Sequence, residues 1–391
     1  MPTSAFARLE GHNSIMELPP PLRAFAKHAD GEPCWCRSGK PYEACHKGRA
    51  EQRRTNPQEA LNLLAKQFTS KVGCLHPSAA SDCAGKIVEA HTIQKSGPLR
   101  AIAKNGEVYS LRGASARLVE NHGQLIPQKR GIATVSTFPG FCEKHDNEFF
   151  EPIENGDFEI NGTNCFLFHY RNVCSEFHAK TSMQFGEAIL GAMDSGRDIF
   201  AQMDAQQFAS DMNFGASLAQ QELATDRAAL GEIWKSGDFS EISFYFIEFE
   251  KQLPFVTSFS ATPKFSLSGI HIQDWSEEVL RKVSVSSVNL GGRSGLIFSS
   301  LDHDLMRGLA SDLENRSVGT PSNLLRWVMA NAENVAFEIE WWDRLADRRK
   351  RHLLDLAMIG LPFGGPDDEL GAYMAAVEVL PPTGVARSFA F

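Results

Sequence analysis

The sequence lacks any run of about 18 consecutive apolar residues, so no membrane-spanning helix is expected anywhere in its 391 residues. Its opening, "MPTSAFARLEGHNSIMELPPPLR", lacks the apolar centre of a signal peptide. It has no P-loop, no G-x-S-x-G and no dinucleotide fingerprint, which removes the commonest nucleotide-binding and serine-hydrolase signatures. Internal repeats and low-complexity tracts are missing too. A basic excess is also lacking. Lys and Arg number 39 against 48 Asp and Glu, a net charge of -9, which argues against a protein coated in basic residues for nucleic acid.

What remains is a globular composition, 42% apolar and 22% charged, in a chain long enough for two or three domains. Without a signal peptide the expected compartment is the cytoplasm. The eight cysteines are then read as reduced thiols and metal ligands rather than disulfides. One stretch departs from the acidic background. Residues 86–130 carry eight basic side chains, among them Lys95, Arg100, Lys104, Lys129 and Arg130, against Glu89, Glu107 and Glu120. A local cationic surface there could contact a phosphate backbone without sequence preference.

The pattern of the chain gives an α+β fold class in pieces: a leader (1–31), a zinc knuckle (32–50), a central domain (51–160), a helical segment (161–236) and a C-terminal α+β domain of unassigned role with an antiparallel sheet (237–391). Asn56 and Pro57 open a helix at "NPQEALNLLAKQF". "KIVEAHTIQ", "EVYSL" and "ATVSTF" read as strands, and "FCEKHDNEFFEPIE" as the start of a helix. "CFLFHYRNVCSEFHAK" reads as an amphipathic helix in which Cys165 and Cys174 pack as small apolar groups and Arg171, Glu176 and Lys180 support a neighbouring cleft. "ISFYFIEFE", "FVTSFSA", "KVSVSSVNL" and "SGLIFSS" read as strands, with "NLGGRSG" a hairpin connection. Helices are expected at about 303–315, 321–332 and 338–358.

The densest chemistry is "EPCWCRSGKPYEACH". Cys34 and Cys36 flank one residue, and Cys45 and His46 follow after eight more. Three thiolates and one imidazole fill the four positions of a tetrahedral zinc, leaving none open for catalysis. These residues resemble the SEC-C motif, P-C-x-C-x-S-G-K-x-Y-x-x-C followed by Cys or His, at every position. The resemblance implies zinc binding and contact with a protein partner. The motif is known at the C-terminus of the bacterial preprotein translocase motor. Here it stands near the N-terminus, so a secretion role does not carry over.

A sparser group follows. Cys74 and Cys83 precede the strand "IVEAHTIQ", and Cys142 and His145 open a helix. Knuckle, strand with His, then Cys-x-x-ligand on a helix is the order of a treble clef. It makes Cys74, Cys83, Cys142 and His145 a second structural zinc site, with unusually wide gaps. The pattern resembles the HNH, or ββα-metal, endonucleases. On that resemblance His91 matches the general base, and Cys142 and His145 match the helical zinc pair. Asp146 falls on the position that binds the catalytic metal. Ala90 stands where the family usually has Asp or His, and Asn105 and Asn121 are both candidates for the intermediate Asn. The chemistry would be hydrolysis of DNA: His91 takes a proton from water, and Asp146, with Glu89 or Asn147, holds a Mg²⁺ or Mn²⁺ on the scissile phosphate. The expectation is therefore a metal-dependent endonuclease with two structural Zn²⁺, DNA as partner, no membrane, and by analogy a place in anti-phage defence. The alternative is a non-catalytic, zinc-stabilised interaction module.

Overall fold

The computed structural model describes residues 20–24, 28–117, 120–154, 158–274, 277, 279–359, 369–375 and 377–390. Of the leader, only 20–24 and 28–31 fall within these.

Local signals set most element ends. Helix α1 (Pro57–Gln67) begins where the Asn56 side chain accepts from the Gln58 amide and Pro57 takes the first helical position. Strand β1 (Ile87–His91) comes next, then β2 (Glu107–Ser110), β3 (Gln128–Gly131) and β4 (Thr137–Cys142). Helix α2 (Glu143–Glu154) grows directly out of β4. Helix α3 (Gly162–Gln184) is capped by Asn161. The 38-residue α4 (Ile199–Ser236) is capped by Asp198 and ends at Gly237 in the left-handed region.

The C-terminal part runs β5 (Ser243–Phe249), β6 (Phe255–Ala261), β7 (Val283–Leu290) and β8 (Arg293–Ser300). Gly291 and Gly292 join β7 to β8 with φ of 59° and 83°, the two positive angles a tight hairpin turn demands. Helices α5 (His303–Glu314) and α6 (Pro321–Asn331), strand β9 (Val335–Phe337), helices α7 (Ile339–Arg344) and α8 (Asp347–Ala357), a short helix at Glu369–Met374 and strand β10 (Val385–Ala390) follow. The mixed content with antiparallel sheets is that of the α+β class.

Two sheets result. β1 pairs antiparallel with β4, Ile87 opposite Cys142 and His91 opposite Thr137, with a register shift around Glu89. With α2 this makes a ββα unit. The second sheet has eight strands in the order β10-β5-β8-β7-β6-β9-β2-β3. Strands β2 and β3 lie in sequence between the two strands of the ββα unit. They leave it and pair through β9 with the C-terminal strands, so the sheet runs from the 51–160 segment into the 237–391 segment.

The inner strands β5 to β9 of the large sheet are buried on both faces, while the edge strands β3 and β10 are largely exposed. Val283, Val285 and Phe298 join a core with Leu305, Trp327 and Leu353 from α5, α6 and α8. On the other face Ser286 and Ser299 meet α3, through Asn172 and His169. This period of two along each strand is the ordinary alternation of a sheet.

Three expectations change. The helix carrying Cys165 and Cys174 is not amphipathic: every residue from Asn164 to Cys174 is buried, because α3 lies between the sheet and α4. "ATVSTF" gives way to a strand starting at Thr137, since Ser136 sits at φ 61° and breaks the extended run. The expected 338–358 helix divides into α7 and α8, with Leu345 and Ala346 extended between them. Among the described residues no helix is long and apolar enough to cross a membrane.

Candidate metal centres and the adjoining groove

In the first centre the backbone folds the ligands together before any metal is considered. The Cys34 amide donates to Lys40 O (2.9 Å) and the Arg37 amide to Cys34 O (3.0 Å), while Gly39 turns back at φ 74°. Across the turn, the amides of Cys45, His46 and Lys47 all donate to Tyr42 O. The ligand atoms of Cys34, Cys36, Cys45 and His46 lie within 4.8 Å of one another. Cys34 Sγ is 3.1 Å from His46 Nδ1, and Cys36 Sγ is 3.5 Å from Cys45 Sγ. A zinc with bonds near 2.3 Å has tetrahedral edges of roughly 3.8 Å, so this donor set fits one zinc ion. Burial pushes the Cys34 thiol up to about 12. Burial would raise Cys36 as well, but contacts with His46 and Ser38 outweigh it and bring it down to about 6. His46 turns its other nitrogen, Nε2, to Asp194 Oδ2 at 2.7 Å.

The second centre gathers Cys74, Cys83, Cys142 and His145, again within 4.8 Å. His145 Nδ1 lies 3.3 Å from Cys74 Sγ and 3.4 Å from Cys142 Sγ. Backbone amides point at the sulfurs: Cys142 N to Cys74 (3.3 Å), His145 N to Cys142 (3.5 Å) and Gly85 N to Cys83 (3.3 Å). Such donors stabilise thiolates, which a metal requires. The knuckle is fixed to the rest of the unit at Leu75. Its amide donates to Gly140 O on β4, and its carbonyl accepts from Tyr170 Oη (2.6 Å) and Arg227 Nη2 (3.1 Å). His76 stacks on His145 with ring centres 3.8 Å apart, and burial followed by the nearby His145 lowers His76 to about 4. All eight cysteines are free of disulfides.

Beside this centre, β1, α2 and α3 carry the remaining polar residues of interest. His91 ends β1, half-buried, with Nε2 3.0 Å from Ile132 O. A carbonyl can only accept, so Nε2 carries the proton and Nδ1 keeps its lone pair. Burial lowers His91 below the ordinary histidine value, against an opposing effect of the Ile132 contact. Burial raises Asp146 on α2, against the field of Arg171. The charges of Glu154 and Arg171 act on both His91 and Asp146. Arg171, only 2% exposed, donates from Nη2 to Glu154 Oε1 (2.6 Å) and lies over the Phe150 ring at 4.0 Å.

The other expected residues scatter. Glu89 is exposed, and its charge acts on Arg112 and His178. Asn147 is exposed, one helical step from Asp146. Lys95 is exposed and its charge reaches His91, whereas Lys104 is paired with Glu340. Lys129 lies 5.5 Å from the Tyr109 ring centre, and it and the exposed Arg130 sit on edge strand β3. Arg100 is exposed. Glu154 was missed, although its place two helical turns beyond Asp146 is a readable signal.

The SEC-C motif family matches residues 32–47, the first centre and its flanks. That match is confined to the knuckle and lends no support to the nuclease resemblance of the ββα unit. No curated protein and no solved structure matches the chain. The chain thus carries a SEC-C motif whose Cys/His cluster can hold zinc, and a second cluster of the same composition.

Proposed function

We propose that the ββα unit is a metal-dependent endonuclease of the HNH-like type, acting on DNA and held in shape by zinc in the second centre. The observation that carries this reading is the state of His91. Its Nε2–H is committed to the Ile132 carbonyl, its Nδ1 lone pair is free, and burial favours the neutral ring. Those are the requirements of a general base near neutral pH. Asp146 is the residue of the unit that would hold a Mg²⁺ or Mn²⁺, which when bound would stabilise charge on the phosphate. Lys95, with Arg100, Lys129 and Arg130, would engage the phosphate backbone. Free thiols gathered into metal clusters suit a reducing compartment such as the cytoplasm. The combination of a cutting unit with a large C-terminal sheet that shares strands with it suits a sensor–effector arrangement such as anti-phage defence, by fold-level analogy.

The test is nicking of plasmid DNA in Mg²⁺ or Mn²⁺ by the full chain, His91→Ala and Asp146→Ala. His91→Ala is expected to lower the rate at least about 100-fold, the smaller end of general-base contributions. Equal rates in all three proteins, or none in any, would reject the reading.

A second reading, a zinc-stabilised interaction module, is favoured by Arg171. Its guanidinium neutralises Glu154, and Ala90 supplies no ligand beside His91. Titration of the zinc-loaded protein with Mn²⁺ separates the two: an additional Mn²⁺ lost in Asp146→Ala belongs to the nuclease.

A further inference from the structure

The SEC-C knuckle is not free-standing. His46 reaches across 148 positions of sequence to Asp194, Nε2 to Oδ2 at 2.7 Å, with the two side chains 3% and 0% exposed. Asp194 lies in the turn (Ala192–Asp194) just before α4. Its carboxylate also accepts from Arg49 Nε (2.7 Å) and Nη2 (2.6 Å), and from Gln206 Nε2 on α4 (2.6 Å). A buried carboxylate is costly unless its charge is answered, and Arg49, three residues beyond His46, answers it.

The surrounding contacts show a built interface. The Gly196 amide donates to Arg49 O (3.0 Å), Arg54 Nε to Gly196 O (3.1 Å) and Thr55 Oγ1 to Ala192 O (2.7 Å). Gly196 has φ +68°, and a Cβ there would lie 2.5 Å from Gln52 O, so backbone meets backbone with no room for a side chain. Trp35 packs on the His46 ring, centres 4.3 Å apart.

Within the knuckle, Nδ1 of His46 faces the sulfurs, so Nε2 is the nitrogen left for a partner. A carboxylate behind a ligating imidazole fixes the tautomer, holds the ring plane and raises the basicity of the ligand nitrogen. We propose that Asp194 is an outer member of the SEC-C metal centre. It accepts Nε2–H of His46 and sets Nδ1 as the ligand atom, so zinc binding and docking of the knuckle onto the start of α4 are one linked event. The knuckle then acts as an internal clamp, and its His46 side is closed to other partners.

The test is a double-mutant cycle on the full chain: wild type, Asp194→Asn, His46→Cys and the double variant. Zinc affinity is read by competition with a chromophoric chelator, with the second centre as internal reference. Cysteine can ligate zinc without a partner behind it. Asp194→Asn is therefore expected to weaken the first centre about 10- to 100-fold in the His46 background, the usual range for outer-shell partners, and to change little in the His46→Cys background. The second centre should hold its zinc equally in all four proteins. Limited proteolysis should cut between the knuckle and α1 faster in Asp194→Asn. An equal loss in both backgrounds would mean that Asp194 acts only as structural support, and no loss with His46 present would mean that it does not act on the metal at all. Either result overturns the proposal.

Discussion

Acid should loosen the contact between α3 and the large sheet, and His169 sets the size of the effect. This residue is 4% exposed, with Nδ1 2.8 Å from Ser299 Oγ on β8. Burial lowers it to about 4, and the Ser299 contact opposes that only in part. An unfolded histidine titrates near 6.5, so the folded chain resists a proton that the unfolded chain accepts. The stability this supplies is complete above about pH 6.5 and is lost as pH falls toward 4. At 1.36 kcal/mol per unit, the whole interval is worth roughly 3 kcal/mol, of which roughly 1.3 kcal/mol falls between pH 7.5 and 5.5. His169→Leu removes the titration. It leaves Ser299 without this partner, at a cost of about 1 kcal/mol at either pH. Urea unfolding of both zinc-loaded proteins at the two pH values gives the gap between them. Other histidines and the metal centres titrate alike in both proteins and cancel in that difference. The advantage of wild type should shrink by roughly 1.3 kcal/mol at the lower pH. A gap that does not change with pH would show that His169 is not held neutral against the sheet.

Elemental analysis of the purified chain should find two zinc ions, with Cys36→Ser and Cys83→Ser each costing one. A single zinc in wild type, or one substitution removing both, would contradict two independent centres. On DNA, Lys95→Ala should weaken binding several-fold and lower the salt slope by about one. Lys104→Ala should change little, because Lys104 is already spent on Glu340. Fluorescence anisotropy across a salt series measures both, and equal effects would refute the different roles assigned to the two lysines.

The parts that could be read from sequence are those whose partners are near in sequence or whose chemistry admits few alternatives. The first centre is contiguous. The second spans a long gap, but cysteine and histidine at the start of a helix have few roles besides metal ligation when a knuckle precedes them. The β7–β8 hairpin is announced by its two glycines. What could not be read depends on distant partners. β3, "QKRG", has no apolar alternation and is a strand only because β2 lies beside it. The buried circumference of α3 follows from being covered by α4 on one side and the sheet on the other, which no helical period reveals. Asp194 is one aspartate among many until the fold brings it behind His46.

The same distant pairing ties the ββα unit to the large sheet. Asn334, just before β9, has Nδ2 within hydrogen-bond distance of Thr92 Oγ1 (2.8 Å), Ser136 Oγ (2.9 Å) and Ser258 O (2.8 Å), its two hydrogens shared among the three acceptors. Thr92 follows His91, and Ser136 precedes β4, so one amide holds both strands of the ββα unit at the end where His91 stands. Ser258 Oγ in turn donates to Asn172 Oδ1, and Asn172 Nδ2 donates to Ser286 Oγ (2.9 Å), which continues the chain through β6 and α3 to β7. Buried polar links of this kind are favourable only when complete, because each unmet group carries its full desolvation cost. Ser136 needs this support, as it stands at φ 61° without being glycine. A fragment ending before β5 would lose Asn334 from Thr92 and Ser136 and β9 from the edge of β2. The position of His91 is therefore a property of the whole chain, although the residues of the proposed nuclease site lie within a short part of it.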